Sequence, residues 1–267
     1  MPRVNRTPEE SELVRTHGPE YLELLARALR LIVLFNAEHR EMTLNELAAL
    51  SGMPRSSVRR VVLTLETLGM AEQNDRYFRL TPRVLTLAAA YLRSNSFADK
   101  LQPITDHVSA RVGEACSVAV LDGDEAVMIV RTAPRRIVTV ALEIGLRLPA
   151  YCSAVGRVLL GGMDEAELDA YLARLQPRKM TPATVTDKAA LKARVTGDRA
   201  QGYSLVDHEA EQGFRSLAVP ILDRDGRIAC SLHIGMSAER TSIEQALEEY
   251  LPVLREASAE AALVIAV

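Results

Sequence analysis

Residues 43–69, TLNELAALSGMPRSSVRRVVLTLETLG, restrict the possible folds more than any other stretch of this chain. Thr43 stands where an N-cap is needed, and Glu46, three residues on, can supply the reciprocal half of a capping box. A short helix with Leu44, Leu47 and Ala48 should follow, and Ser51-Gly52-Met53 should break it. Pro54 suits the first position of a second helix, where its missing N–H costs nothing, and Gly69 suits a left-handed C-cap. Two short helices around a tight glycine turn make the helix-turn-helix pattern. At about 100° per residue, Val58, Val61, Val62, Leu65 and Leu68 fall on one stripe of the second helix. Ser56, Arg59, Arg60 and Thr67 fall opposite, with Leu63 also outward. An arginine-bearing front suits the major groove, because a guanidinium can fork onto guanine or hold phosphates. Short helix pairs are common, however, and adjacent arginines are often only a solvated face.

The next residues favour nucleic acid. Met70–Gln73 and Tyr77–Leu80 read as two strands around an Asn74-Asp75 turn, a hairpin in the position of a wing. Arg76 and Arg79 place positive charge on it. The whole chain carries a formal charge of −3, yet Pro54–Arg83 holds six arginines against three acidic residues. Charge alone would not have indicated DNA; this local excess does. The candidate DNA contacts are Arg55, Ser56, Ser57, Arg59, Arg60, Arg76 and Arg79.

The 267 residues fit one large domain or two ordinary ones, and a 48% hydrophobic fraction supplies aliphatic cores without disordered composition. Cys116, Cys152 and Cys230 are odd in number, widely spaced and set among apolar residues. They suggest neither a disulfide framework nor a zinc site, and point to a reducing compartment. The N-terminus has no apolar signal core, and no apolar run reaches bilayer length. A soluble cytoplasmic protein without membrane partners is expected. There is no G-x-S-x-G, H-E-x-x-H, Walker loop or G-x-G-x-x-G, so no enzyme, cofactor or metal is expected.

In chain order, residues 1–18 read as a mobile polar arm and 19–80 as the winged helix-turn-helix. Within it, Tyr21–Asn36 is an amphipathic helix whose Leu22, Leu25, Ala26, Leu29, Ile32 and Val33 should pack behind the motif. Residues 81–96 form a linker helix that starts at Thr81-Pro82 and is apolar over more than one face. Residues 97–267 form a second domain. Its helix Phe97–Arg111 precedes strands Cys116–Leu121 and Ala126–Arg131 around Asp122-Gly123, then a strand over Arg136–Leu142. Helices follow from Ser153, Asp164 and Thr186. Strands Phe214–Leu222 and Arg227–Ile234 flank Asp225-Gly226, and a final helix from Ser242 carries a kink at Pro252. Grouped strands and helices without βαβ alternation make this domain α+β.

The stretches ARALRLIVLF, LSGMPRSSVRRVVLTLETLGM, YFRLTPRVLTL, LPAYCSAVGRVLL, QGYSLVDHEAEQGFRSLAVPI and GRIACSLHIG, in this order, resemble the IclR family of bacterial transcription regulators over about 245 residues. GLRLPAYCSAVGRVLL is further similar to the branch that regulates β-ketoadipate and hydroxybenzoate catabolism. The resemblance implies a winged helix-turn-helix followed by a GAF-like α+β effector domain, with dimer contacts through the linker helix. It also implies that the loop Tyr151-Cys152-Ser153-Ala154-Val155-Gly156 lines an effector pocket, together with Phe214, Ser216 and the strand Ala229–Gly235.

Read from the residues themselves, that loop opens a helix whose first N–H groups can receive a carboxylate, and an ordinary N-cap at Ser153 is the competing reading. On the strand, Ile228, Cys230, Leu232 and Ile234 form one face and Ala229, Ser231 and His233 the other. A one-residue slip against the family would exchange them. Arg131, Arg147 and Arg157 are the available cations; Arg147 is preferred as a carboxylate clamp, with a surface salt bridge as its alternative. His208 and Glu209 sit in the loop before Gly213.

The function expected is therefore a DNA-binding regulator, dimeric or tetrameric on double-stranded operator DNA and controlled by a small organic acid. The branch resemblance implies that this acid is a hydroxylated benzoate such as protocatechuate or 4-hydroxybenzoate, with a short keto or hydroxy acid as runner-up. An enzyme using Cys152 or Ser153 with His208, and a DNA-binding structural protein with a vestigial sensor, are the competing classes.

Overall fold

The computed structural model describes residues 8–94, 97–134 and 144–265. The strand expected over Arg136–Leu142 lies outside the described residues. The chain divides into two compact units, Met1–Tyr91 and Leu92–Val267.

The first unit begins with α1 (Pro8–His17). Part of the stretch expected to be a mobile arm is thus helical, with the basic Arg15 and His17 in its last turn, the end where a helix dipole favours positive charge. Next come α2 (Glu23–Val33), β1 (Glu41–Thr43), α3 (Leu44–Ser51), α4 (Arg55–Thr67), β2 (Ala71–Asn74) and β3 (Tyr77–Leu80). The capping box at α3 forms: Glu46 N–H donates to Thr43 Oγ1 at 3.3 Å, and Thr43 N–H donates to Glu46 Oε2 at 2.7 Å. Gly52 ends α3 in the left-handed region at φ +65°.

Pro54 is the N-cap of α4 rather than its first residue. Gly69, at φ +71°, terminates that helix in a Schellman arrangement: its N–H donates to Glu66 O, and Met70 N–H reaches back to Leu65 O. Val58, Val61, Val62 and Leu65 are buried with Leu47, Met53, Ala71 and Phe78 in one core. Leu68, expected on that stripe, is 52% exposed.

The wing is a three-stranded antiparallel sheet in the order β1-β3-β2, so Glu41–Thr43 contributes a strand that hydropathy did not reveal. Asn74 pairs with Tyr77, which moves the turn one residue on, to Asp75-Arg76, and Asp75 takes φ +54°. Helix α2 packs differently from expectation. Its inner face is Arg27 and Leu31, flanked by partly buried Ala28 and Ile32, whereas Leu22, Leu25, Leu29 and Val33 are 50–78% exposed. Glu23, Arg27 and Arg30 share one side of this helix and the rest of its circumference is apolar, so periodicity could not say which part of that wide apolar arc meets the core.

Helix α5 (Leu85–Ser94) spans the boundary between the units. The second unit contains α6 (Phe97–Val112), β4 (Ala115–Asp122), β5 (Glu125–Thr132), β6 (Arg147–Pro149), α7 (Ala154–Leu160), α8 (Glu165–Arg174) and α9 (Lys188–Gln201). It continues with β7 (Ser204–Asp207), β8 (Phe214–Leu222), β9 (Ile228–Ser237), a single turn α10 (Ile243–Gln245) and α11 (Leu251–Ile265). Asp187, not Thr186, caps α9 by accepting from Ala190 N–H at 2.8 Å. Residues Ala246–Tyr250 form a π-helical turn just before α11. Pro252 explains it: without an N–H it cannot close the α ladder onto Glu248, and the backbone widens there.

The strands form one six-stranded antiparallel sheet in the order β6-β5-β4-β9-β8-β7. One face carries Val118, Val130, Leu217, Leu232 and Ile234 against α6 and α11. The other carries Ala119, Ala126, Met128 and Ala218 against Val155, Val158 and Leu159 of α7, with α8 and α9 packing beyond it. Among the described residues, no helix is long and apolar enough to cross a membrane.

Candidate nucleic-acid interface and effector site

In the first unit an open groove of about 570 Å³ runs between the start of α3, the outer face of α4 and the hairpin tip. Arg55, Arg59 and Arg76 line it, with Leu63 at its floor and Glu46 and Asp75 as the opposing acids. The three arginines are exposed, and the groove is where the two helices and the wing converge. Asn45 and Gln73 also line it, and neither was singled out from sequence.

Glu46 is consumed by its cap: hydrogen bonds from the Thr43 backbone and hydroxyl hold its carboxyl below the usual range, so it stays charged without being free to repel a phosphate elsewhere. Arg76 lies over the Tyr77 ring, 5.2 Å from its centroid, and donates to Tyr77 Oη at 3.2 Å. Arg60, Ser56 and the half-buried Ser57 lie on α4 outside the groove lining. Arg79 sits opposite Glu72 across the hairpin and pairs with it at 2.5 Å, with both side chains about half exposed. Thr67 turns its hydroxyl back onto Leu63 O at 2.8 Å.

In the second unit the register decides which side chains share the α7 face. Ser117 of β4 pairs with Arg131 of β5 on one side and with His233 of β9 on the other, and His233 pairs with Ala218 of β8. Ala119 pairs with Ser231, and Ser216 with Gly235. Directly opposed residues point to the same face. Arg131, Ser117, His233, Ser231, Ser216 and, by alternation along β8, Phe214 therefore lie on the side covered by α7. Cys230, Leu232 and Ile234 lie on the other side, as read from sequence, but Ile228, expected to share that face, does not: the register shifts between Ile221 and Leu222, and Ile228 turns to the α7 side, where it packs with Val158 and Leu159. Ser117 is the residue of this face that sequence reading missed. Its signal was the alternation of Ser117 and Ala119 against Cys116 and Val118.

The face is buried, and Ser117 Oγ and His233 Nδ1 on it have no hydrogen-bond partner. Ser216, Ser231 and His233 are 4%, 0% and 2% exposed. Burial, with the Arg131 charge adding to it, pushes the His233 pKa down to about 4, so the imidazole is neutral at pH 7. Gly235 lets the Phe214 ring approach: a Cβ built there would stand 2.8 Å from Phe214 Cζ and 3.4 Å from His233 Nε2.

The loop before α7 is built as a support. Ser153 Oγ donates to Pro149 O at 2.9 Å and accepts from Gly156 N–H at 3.3 Å, which is the N-cap reading of that serine. Gly156 packs so closely on Ala150 that a Cβ would lie 2.2 Å from its Cα. The helix has only seven residues, all buried, including Ala154 and Val155. Tyr151 Oη accepts from Arg178 N–H at 2.9 Å and donates to its carbonyl at 2.7 Å.

Arg157, which sequence placed among the free cations, is 1% exposed and donates to Glu209 Oε2 at 2.7 Å and Tyr151 O at 3.0 Å. Glu209 thereby ties its loop to the start of α7. His208, at φ +59°, accepts from Gly213 N–H through Nδ1 at 2.8 Å, holding its own hairpin. Arg147 is exposed on the edge strand β6, where it pairs with Glu125 at 2.6 Å and Asp122 at 2.8 Å. The preferred clamp is thus a surface salt bridge, and Arg131 is the cation on the buried face. Burial raises the Cys152 thiol to about 11, which leaves it protonated and a poor nucleophile.

Comparison with known proteins adds the following. The family described as the IclR helix-turn-helix domain matches residues 24–75, and that described as the bacterial transcriptional regulator IclR C-terminal matches residues 89–262. The Pca regulon regulatory protein of Pseudomonas putida is 38% identical over 258 residues, covering 96% of this chain and 89% of that protein. The p-hydroxybenzoate hydroxylase transcriptional activator of Acinetobacter baylyi is 29% identical over 258 residues, covering 95% and 94%. A Rhodococcus transcriptional regulator of known structure superposes with a TM-score of 0.83 at 38% identity, over 92% of this chain and 99% of that one. An IclR homologue of Microbacterium hydrocarbonoxydans, solved with 4-hydroxybenzoate, superposes with a TM-score of 0.78 at 25% identity, over 91% and 98%.

Proposed function

Because the chain belongs to the IclR family of bacterial transcriptional regulators, we propose that it controls genes for the catabolism of hydroxylated aromatic acids and senses one of those acids in its second unit. The observation that carries this is the composition of the sheet face under α7. One cation, Arg131, shares an otherwise apolar and buried surface with Ser216, Ser231 and neutral His233. That is the chemistry of a small aromatic acid: a charged end, a flat apolar body and hydroxyl substituents. The relatives named for Pca and p-hydroxybenzoate regulation, and the relative solved with 4-hydroxybenzoate, support the same ligand class.

On the DNA side, α4 enters the major groove and the hairpin flanks it, with Arg55, Arg59 and Arg76 facing the duplex. One such unit covers little DNA, so specificity requires two copies on a two-fold operator. The exposed leucines of α2 and the exposed Leu85, Leu87 and Tyr91 of α5 are the surfaces that pair copies of the chain, since an apolar stripe of this size is unusual on a monomer. The protein acts in the cytoplasm and releases its effector unchanged.

Calorimetry of the full chain against benzoate, 3- and 4-hydroxybenzoate, protocatechuate and pyruvate tests this, with operator binding followed by fluorescence anisotropy. Hydroxybenzoates should bind at least about tenfold more tightly than benzoate, because buried polar groups left unpaired cost roughly 1–3 kcal/mol each. Binding of pyruvate alone overturns the aromatic reading, and recovery of a chemically altered effector overturns the regulator-without-turnover reading.

A further inference from the structure

Among the described residues of the second unit, three buried side-chain atoms have no hydrogen-bond partner, Tyr171 Oη on α8, Ser117 Oγ and His233 Nδ1, and the last two are neighbours. Ser117 is 0% and His233 2% exposed, and the two residues oppose each other directly across β4 and β9. Opposed side chains on one sheet face stand about 5 Å apart at Cβ, close enough for both to touch a single oxygen atom. Folded proteins rarely leave such atoms unpaired, because each forfeits its bonds to water and gains nothing in return. Two orphans side by side, on the face that also carries Arg131, mark a place built for a hydrogen-bonding group from outside the chain.

We propose that Ser117 and His233 form the hydroxyl-recognising end of the effector site. Ser117 Oγ–H donates to the ring hydroxyl oxygen of the bound acid, and that hydroxyl donates in turn to His233 Nδ1. This rests on the reading of the second unit as a hydroxybenzoate sensor and names the residues that tell a phenolic acid from benzoate. The donor and acceptor count closes. A phenol offers one proton and accepts one; a serine hydroxyl donates one; a neutral imidazole accepts at the nitrogen that carries no proton. Arg131 lies on the far side of Ser117 from His233, roughly 10 Å away at the backbone by two strand spacings. Its long side chain can meet the carboxylate at the opposite end of the ring. Phe214, against Gly235 and the His233 edge, offers an apolar wall to the ring itself.

The test is calorimetry and thermal melting of the full chain with benzoate, 4-hydroxybenzoate and protocatechuate. Ser117→Ala should weaken binding of the hydroxylated acids about tenfold and change benzoate affinity less than about twofold. Its melting temperature without ligand should rise, since it deletes an unpartnered buried hydroxyl; a merely structural serine would lower it. His233→Asn keeps a polar atom near the position of Nδ1 and should retain the preference for hydroxylated acids. His233→Gln keeps one near Nε2 and should lose the preference.

Equal affinity of wild type and Ser117→Ala for 4-hydroxybenzoate overturns the proposal and leaves the aromatic-acid reading standing. An equal loss for benzoate and its hydroxylated analogues also overturns it, because that is a packing effect. A wild-type chain that binds none of the aromatic acids removes the sensor reading itself, and this proposal with it. Should the His233 variants fail to fold, the Ser117→Ala comparison decides alone.

Discussion

Arg59 on the second helix and Arg79 on the hairpin were both candidate DNA contacts in the sequence, and the structure gives them different surroundings. Arg59 lines the groove beside the wing, whereas Arg79 lies outside the groove lining and pairs with Glu72 at 2.5 Å. Arg59→Ala should cost about 1–3 kcal/mol of operator affinity if it reads a base, and Arg79→Ala should change it by less than about 0.5 kcal/mol. Anisotropy titrations at physiological salt check both, and equal losses would mean that the duplex lies elsewhere on this unit. Gly156 shows a constraint that no motif carried. Its missing Cβ is required by the Ala150 backbone, 2.2 Å from where the Cβ would be, and backbone cannot move aside as a side-chain tip can. Gly156→Ala should therefore lower stability by about 1–3 kcal/mol or more, read as a fall in melting temperature. His233 links the site to pH. Its folded pKa of about 4 lies below the 6.5 of a free histidine, so the unfolded chain binds the proton more readily. The stability held by the neutral imidazole is complete above pH 6.5, declines below it and is lost as pH falls through 4. His233→Gln should flatten the acid limb of a stability profile by up to about 3 kcal/mol between those limits. An unchanged limb would place the acid sensitivity in another group.

Elements with local signals were legible. The capping box, the Gly52 break and the Gly69 stop are interactions within a few residues, so Thr43, Glu46 and the two glycines fix α3 and α4 wherever the rest of the chain goes. Helix α2 was legible as a helix and misread as a face. Leu22, Leu25, Leu29 and Val33 form a regular stripe, yet they face outward while Leu31 is 0% exposed. Those outward leucines make an assembly prediction at this scale. Leu25→Glu combined with Leu29→Glu should leave the fold intact and convert a dimer into monomers at micromolar concentration, observed by light scattering. Operator affinity should fall together with assembly. A double variant that stays dimeric would remove α2 from the interface.

At the scale of the molecule, each unit has its own buried core: Leu31, Leu47, Val58 and Phe78 in the first, and separate clusters on the two faces of the sheet in the second. A fragment of residues 97–267 should therefore fold alone and bind a hydroxybenzoate with affinity within about threefold of the full chain, while binding no operator. Calorimetry on the fragment tests this; loss of ligand binding would place part of the effector site outside those residues. Whatever the effector does to operator binding is bounded by its differential affinity for the states that bind DNA and those that do not. Shifting the ratio from 1:99 to 99:1 requires about 10⁴-fold discrimination.

Local chemistry, then, was determined by the sequence alone: the helix-turn-helix, its caps, the hairpin beyond it and the alternation of β9 from Cys230 onward. Each depends on hydrogen bonds or alternation within one element, which a linear pattern records. Tertiary structure decided which of several equivalent residues is spent and which is left. It put Arg147 into a surface pair with Glu125 and Asp122, and Arg157 into a buried pair with Glu209. It also set Ser117, which no motif marks, directly opposite His233 with neither atom satisfied. Those outcomes depend on strand register and on partners 22 to 116 positions apart in the chain. Register is set by the cooperative burial of the whole sheet, not by the residues that happen to meet on it.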